Sequence, residues 1–425
     1  MNLQECLASR KDCSGNGRIL SEKDVLEICE SSSQAAPLKA LFVVLPKGNE
    51  YSGGIYKYEK GELVLISGEI ETKYSMELYP ELIWKESIPL NELVTVGIIW
   101  QYLSLKVGSL GLGVSQRARA PKAINKVVNE KLNQNYDFVY SVAVRERDRG
   151  DLIEDKAEPP VIEIQENQYL LSTPSYYEDH KLYKHNYEGT PLDSAIFNKM
   201  NRKTPDYTTL QEISQLLWAC EGENDHATHG NRDALEKNGY GRVHASGCAG
   251  YAVYPILIVK DLAHLPKGSY LYNPVGYSAL NRWITVGNNV MYDHFLQKYS
   301  ADLDLSQIES EFGLRFDHFA ILLCFDRKKP CSGAFHKLFN IKYWAEIESG
   351  MALAGLQLQA NALGLKWQEH VISNPDDNKY RGLFHLDVAE DVINKMAANL
   401  IHLAKNERLS LKGNLTPAVL FFLQD

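Results

Sequence analysis

The sequence predicts an α+β protein built as two tandem copies of one module, and three observations carry that prediction. Two stretches apolar on nearly all sides, 97–110 and 350–363, open on Gly and run without a gap into Leu110-Gly111-Leu112 and Leu363-Gly364-Leu365. Short β-rich runs follow an amphipathic helix in each half, at Leu41–Leu45 and at Tyr254–Val259. With 425 residues the chain has room for two domains, each of about 150–200 residues.

The remaining elements fall in matching order around the two apolar stretches. Leu7-Ala-Ser-Arg10-Lys11 precedes a helix start at Ile19–Ile28, and Asn198-Lys-Met-Asn-Arg202-Lys203 precedes one at Tyr207–Leu217. Ser21 and Thr208 stand where an N-cap hydroxyl is needed. After the β-rich runs come Gly54-Ile-Tyr-Lys-Tyr58 and Gly268-Ser-Tyr-Leu-Tyr272, which read as edge-strand or hairpin pieces. The long stretches follow; a helix with no polar face is a buried central one, and Gly111 and Gly364 suit the left-handed position that ends it. Tyr136–Val144 and Ala418–Leu423 are the expected closing strands. Leu-Gly-Leu alone is common, but a shared order of several features is harder to produce by accident.

This order places one module at 1–150 and the other at 191–425, joined by 151–190. The joining segment holds Glu158-Pro-Pro, a strand-like Val161–Glu163 and the Tyr-rich Tyr176–Tyr183. It is too aromatic for a disordered tether and is expected to be an ordered linker or an extra strand.

Composition narrows the function classes. Hydrophobic residues at 44% and charged residues at 23% are those of an ordinary globular protein. A net charge of −9 provides no overall attraction to nucleic acid or anionic lipid. The N-terminus lacks a secretory apolar core, and no apolar run approaches the ~20 residues of a membrane span. Seven scattered cysteines without a CxxC pair point to a reducing, cytoplasmic setting. Asp225-His-Ala-Thr-His229 sits in a loop-like stretch without a second ligand cluster, so no metal is expected. No GxGxxG, P-loop, HExxH or GxSxG pattern is present, which argues against the folds built on them.

The second half carries a family resemblance. Ile213-Ser-Gln-Leu-Leu-Trp-Ala-Cys-Glu-Gly222 is similar to the LSQLLWAAQG helix of nitroreductase-fold flavoproteins. Arg242-Val-His-Ala-Ser246-Gly247-Cys248-Ala249 resembles the RTxPSAGA flavin loop of SagB-type dehydrogenases, and Glu348–Leu365 resembles their EAGHxAQNLxLQATALGL helix. The resemblance covers most of 195–370 and reaches 5–148 through the repeat. It implies two tandem nitroreductase-like modules, each a mostly antiparallel sheet flanked by helices with a buried central helix. It also implies FMN at the interface of two modules. That interface forms either between the two central helices of one chain or with a second chain, as an internal pseudo-dimer or a homodimer.

The departures are specific. Ala245-Ser-Gly-Cys-Ala249 replaces Pro-Ser-Ala-Gly-Ala, and Met351, Ala354 and Gly355 replace the family's His and Gln-Asn. In the first copy only 11 residues separate Glu30, taken as a helix end, from Phe42, against 37 between Trp218 and Ile256. The first copy therefore has no room for a flavin loop and is expected to serve as a partner wall.

The resemblance assigns the candidate site. Arg202 and Lys203 match its phosphate-binding stretch, where a guanidinium fork suits a phosphate dianion; the same pair also reads as a solvated basic helix start. Arg242, Ser246, Gly247 and Cys248 match the flavin loop, where small residues let backbone amides approach a flat ring. Cys248 has no partnered base in the sequence and reads as a small packing residue. Lys342 and Tyr343 match a Lys-Tyr pair that removes a proton in azoline oxidation, although the family's pair lies closer to His336-Lys337. The same pair also reads as an amphipathic strand-to-helix junction. Arg145, Arg147 and Arg149 read as a solvated charge run, although the resemblance implies that basic residues after this strand can reach an FMN phosphate.

The expected activity is FMN-dependent oxidation of a heterocycle or a modified peptide or amino-acid intermediate in a biosynthetic pathway, by hydride transfer to flavin N5. The alternatives are a flavin-free scaffold that binds partner enzymes of a biosynthetic complex, and an NAD(P)H-dependent nitro or quinone reductase.

Overall fold

The computed structural model describes residues 1–8, 17–35, 41–48, 51–70, 72–80, 88–117, 122–136, 138, 141–146, 179–181, 190–197, 210–222, 243–244, 252–262, 265–273, 295–300, 302–326, 343–393 and 415–423. The first half runs α1 (Leu3–Ala8), α2 (Glu22–Ala35), β1 (Leu41–Leu45), β2 (Gly54–Glu59), β3 (Glu62–Ser67), β4 (Met76–Pro80), α3 (Leu90–Ser109), β5 (Leu112–Arg117), α4 (Lys122–Leu132) and β6 (Ser141–Glu146). After β7 (Asp179–Lys181), the second half runs α5 (Leu192–Ile196), α6 (Leu210–Glu221), β8 (Val253–Val259), β9 (Gly268–Asn273), β10 (Phe295–Ser300), α7 (Leu305–Phe312), β11 (Phe319–Phe325), α8 (Trp344–Ala362), β12 (Trp367–Val371), α9 (Asn378–Leu383) and β13 (Thr416–Leu423).

The strands form two antiparallel sheets, ordered β3-β2-β1-β4-β6-β5 and β12-β13-β11-β8-β9-β10-β7. Read from the opposite end, the second order is β7-β10-β9-β8-β11-β13-β12. Without β7, each strand then occupies the place of its counterpart in the first sheet. In both halves the long helix follows the fourth strand and leads into the strand at the sheet edge. The protein is thus α+β, with two modules of the same topology.

Local sequence explains most element limits. Ser21 caps α2, its Oγ accepting from the Asp24 amide at 3.2 Å. Helix α2 runs past Glu30 to Ala35, because Ser31 and Ser32 donate to the Ile28 carbonyl and Ser33 donates to that of Glu30. Such back-bonding lets serines sit inside a helix. Both long helices are followed by a left-handed glycine, Gly111 at φ 71° and Gly364 at φ 70°.

Two expectations each resolve to one of their two readings, and one changes. The piece 54–58 is the hairpin rather than the edge: β2 turns directly into β3 and pairs with it and with β1, so β3 takes the outer place. The first closing strand begins at Ser141 rather than Tyr136, because Tyr136 and Phe138 turn inward to pack on Phe42 at ring distances of 5.2 and 5.1 Å. In the joining segment, β7 is the extra strand, added to the outer side of the second sheet through β10. Val161–Glu163 and Tyr176-Tyr177 lie outside the described residues.

The two modules share their helix layer. Helices α3 and α8 cross with Gly97 against Gly350, and all of α8 is buried. Trp344, Ile347 and Met351 of α8 enter the first core, while Val94, Ile98, Tyr102 and Leu105 of α3 enter the second. Leu3, Cys6 and Leu7 of α1 also pack into the second core. There Met1–Leu3 meets Thr190–Leu192 through Leu3 N–H to the Thr190 carbonyl (2.9 Å) and Leu192 N–H to the Met1 carbonyl (3.3 Å). The interface between modules is therefore formed within the chain.

Candidate functional site

The site is built where α3, α6 and α8 converge on the two ends of the segment 245–251. Helix α6 ends on Glu221, whose carboxylate is fully buried because the helix lies inside the second core. After it, the Gly222 amide closes onto the Trp218 carbonyl at 2.8 Å, and the Gly222 carbonyl accepts the Val243 amide at 3.0 Å. The chain therefore returns to the helix end at Val243, and His244 meets Glu221 through a buried hydrogen bond between imidazole Nε2 and carboxylate Oε2. A buried carboxylate needs such a partner.

The first module joins this junction directly. Gln101 of α3 is buried, and its Nε2 donates to the Val243 carbonyl at 2.7 Å. At the far end of the segment, the Ala252 amide donates to Glu348 Oε2 of α8 at 2.8 Å, and the Asp326 amide donates to the Ala252 carbonyl at 2.9 Å. Both ends of 245–251 are thereby held by buried polar side chains, one of them from the other module.

A second polar group crosses between the modules near the end of α3. Lys106 Nζ lies 2.9 Å from Glu27 of α2 and 2.9 Å from Asp193 of α5. Burial pulls its ammonium down, but hydrogen bonds to the two carboxylates outweigh it and leave the pKa raised. On α8, Gln357 donates to Glu369 of β12 at 2.5 Å, while burial holds the Glu369 carboxyl above the usual range. Burial raises the thiols of Cys29, Cys220 and Cys324, so none of these is a thiolate at neutral pH.

Of the residues singled out from sequence, Arg202, Lys203, Arg242, Ser246, Gly247, Cys248 and Lys342 lie outside the described residues, as do Thr208 and Asp225–His229. Tyr343 is placed: it precedes α8 in the left-handed region at φ 76°, and its carbonyl accepts the Ile347 amide at 3.2 Å. A non-glycine residue there is uncommon. Its ring packs on the first module's core, beside the Trp100–Trp344 contact at 5.8 Å. Arg145 is not solvated as a charge run suggests: its guanidinium stacks 4.4 Å over the Tyr74 ring. Among the described residues no cluster of three or more metal-ligating side chains occurs, and no helix is long and apolar enough to cross a membrane.

The roles of Gln101, Glu221, His244 and Glu348 were missed from sequence, although a signal was there. Glu221, Glu348 and Gln101 each stand among apolar neighbours on a helix that enters the core, and a polar side chain there must find a partner when buried.

No protein-family model and no curated protein matches the chain. Among solved structures, a nitroreductase-designated protein from Anabaena variabilis matches 99% of this chain and 87% of its own, with TM-score 0.56 and 11% identity. Two weaker matches are a nitroreductase-designated protein from Ralstonia eutropha and an E. coli microcin synthetase complex, McbBCD, with truncated pro-MccB17 bound. The first has TM-score 0.32 at 14% identity, over 64% of this chain and 95% of its own. The second has TM-score 0.30 at 12% identity, over 80% and 99%. Their scores are too low to carry an argument. The first comparison, together with the two like-ordered sheets, shows that the chain has the nitroreductase fold.

Proposed function

We propose that the chain is an FMN-dependent oxidoreductase with one flavin site, set at the seam between its two modules. The observation that supports it is the holding of both ends of 245–251 by buried side chains of α3, α6 and α8. Six of the seven residues between those ends are Ala, Ser, Gly or Cys, a composition that lets backbone amides come close to a flat ring. In residue type these positions suit a flavin mononucleotide. Arg202 and Lys203 would hold its phosphate, and Arg242, Ser246, Gly247 and Cys248 would line its ring. Bound FMN would supply a hydride acceptor at N5. Lys342 or Tyr343 would take the substrate proton.

In this reading the modules, 1–150 and 191–425 with the linker 151–190, arose by tandem duplication and now act unequally. Residues 36–40, between α2 and β1, leave no counterpart to the long excursion between α6 and β8. The first module is then a wall that completes the second module's site. The substrate class that accords with the SagB-type resemblance is a heterocycle or a modified peptide or amino-acid intermediate, handed on by partner enzymes in the cytoplasm.

One observation favours a second reading, a flavin-free scaffold in a biosynthetic complex. A Cβ on Gly355 would lie 1.9 Å from the Ala219 carbonyl, so α8 presses on α6 where the resembling family carries Asn. The visible absorption spectrum of the purified protein separates the two. A flavin band near about 450 nm, present as isolated or after reconstitution with FMN, supports the enzyme; its absence under both conditions overturns it. NAD(P)H oxidation by the flavin-loaded protein would move the assignment to a nitro or quinone reductase.

A further inference from the structure

We infer that Gln101, a residue of the first module, is a positioning residue for the flavin site of the second. The inference rests on the reading of that site as a flavin site. It explains why a module without a flavin loop of its own keeps its central helix intact.

The geometry is direct. Gln101 lies one helical turn after Gly97, the point where α3 touches α8. That close approach brings the α3 backbone near enough for a side chain of this length to reach across the seam. Its amide nitrogen donates to the Val243 carbonyl at 2.7 Å. Val243 and His244 are fully buried, and the Val243 amide is already committed to Gly222. Among the described residues Gln101 supplies the donor to this buried carbonyl, and a buried carbonyl left without a donor is costly. With His244 bound to Glu221, the chain entering 245–251 is fixed on three sides: by the Val243 amide, by the His244 side chain and, through Gln101, by the other module. Hydrogen bonds in such a buried cluster reinforce one another.

An equivalent donor is absent from the other half of the repeat. Gln101 stands five positions into the shared Gly-to-Leu-Gly-Leu stretch, where the second copy has Ala354. The asymmetry matches the long excursion between α6 and β8, which carries the Val243 carbonyl that Gln101 holds.

The test compares wild type with Gln101→Met, which keeps the length and removes the donor. Two readouts are taken on the full chain. Hydrogen–deuterium exchange without added flavin should rise in peptides containing Val243–His244 and stay unchanged in β8 and β11. Titration with FMN should show roughly tenfold weaker binding, the scale of one buried acceptor left unsatisfied, with an altered visible circular-dichroism band for the flavin that does bind. Unchanged exchange at Val243–His244 overturns the inference, and so does exchange that rises equally throughout the second sheet. Wild-type protein that binds no FMN overturns the flavin reading instead, while the exchange comparison still decides whether Gln101 positions Val243. If Gln101→Met does not fold, Gln101→Glu, which keeps the length and places an oxygen where the donor was, carries the same comparison.

Discussion

Gly97 of α3 and Gly350 of α8 stand face to face where the two long helices cross. A Cβ built on Gly97 would lie 2.8 Å from the Gly350 Cα and 2.0 Å from the Ile347 carbonyl oxygen. One on Gly350 would lie 2.9 Å from the Gly97 Cα and 2.0 Å from the Val94 carbonyl oxygen. These are the opening residues of the two repeated stretches, so the repeat meets itself at its own first position.

The obstructing atoms are backbone, which cannot rotate away, so Gly97→Ala should force the helices apart. The expected loss is about 3 kcal/mol, the upper end for overpacking, read as a lowered denaturation midpoint. Gly350→Ala should behave alike, and the double variant should cost less than the sum, because the first substitution already opens the gap. Strict additivity would show that the two glycines do not share one contact.

Lys106 should hold the modules together electrostatically. Lys106→Met leaves Glu27 and Asp193 without their shared cation, for an expected loss of about 2 kcal/mol. That is below the figure for a sealed pair, because the Asp193 side chain is 56% exposed. The raised pKa of Lys106 sets the sign of the pH effect. Its contribution is complete below the unfolded lysine value of about 10.4 and fades as pH climbs through the higher folded value. Denaturation followed across alkaline pH should show this decline in wild type and a weaker one in Lys106→Met.

Glu369 works in the opposite direction at neutral pH. Burial raises its carboxyl despite the Gln357 hydrogen bond, so the folded state holds a proton that the unfolded chain releases near about pH 4.3. Stability should therefore fall as pH rises from there through the folded value. Glu369→Gln keeps an acceptor for Gln357 and removes the titration. It should be more stable than wild type at pH 7 and gain least at pH 4; an equal gain at both would contradict the account.

Arg202→Ala tests the cofactor assignment. Removing one charged donor from a phosphate should weaken FMN binding roughly tenfold or more, measured by fluorescence titration. Equal FMN retention by variant and wild type would take Arg202 out of the site.

Much of the fold was legible because its signals are local. Ser21 caps its helix through an oxygen three residues from the amide it serves, and Gly111 and Gly364 end theirs by a conformation other residues avoid. The β-runs at Leu41–Leu45 and Tyr254–Val259 are apolar and β-branched enough to declare themselves. Less of the site was legible. Gln101 and Val243 are 142 residues apart, and nothing in the spacing of either names the other. Tyr136 was read as part of the closing strand, and only its packing on Phe42 shows why it turns in.

By itself, the sequence determined that two like-ordered α+β halves exist, where most of their helices and strands fall, and that each is centred on a helix apolar on nearly all sides. Such a helix has no polar face, so it cannot say what it packs against. Tertiary structure decided that the two helices pack on each other, that α1 enters the second core, and that buried Gln101, Glu221, His244 and Glu348 meet at the ends of one segment. The physical reason is that local conformation is set by neighbours within a few residues. The partner of a buried polar group is set by which distant surfaces the hydrophobic effect brings together.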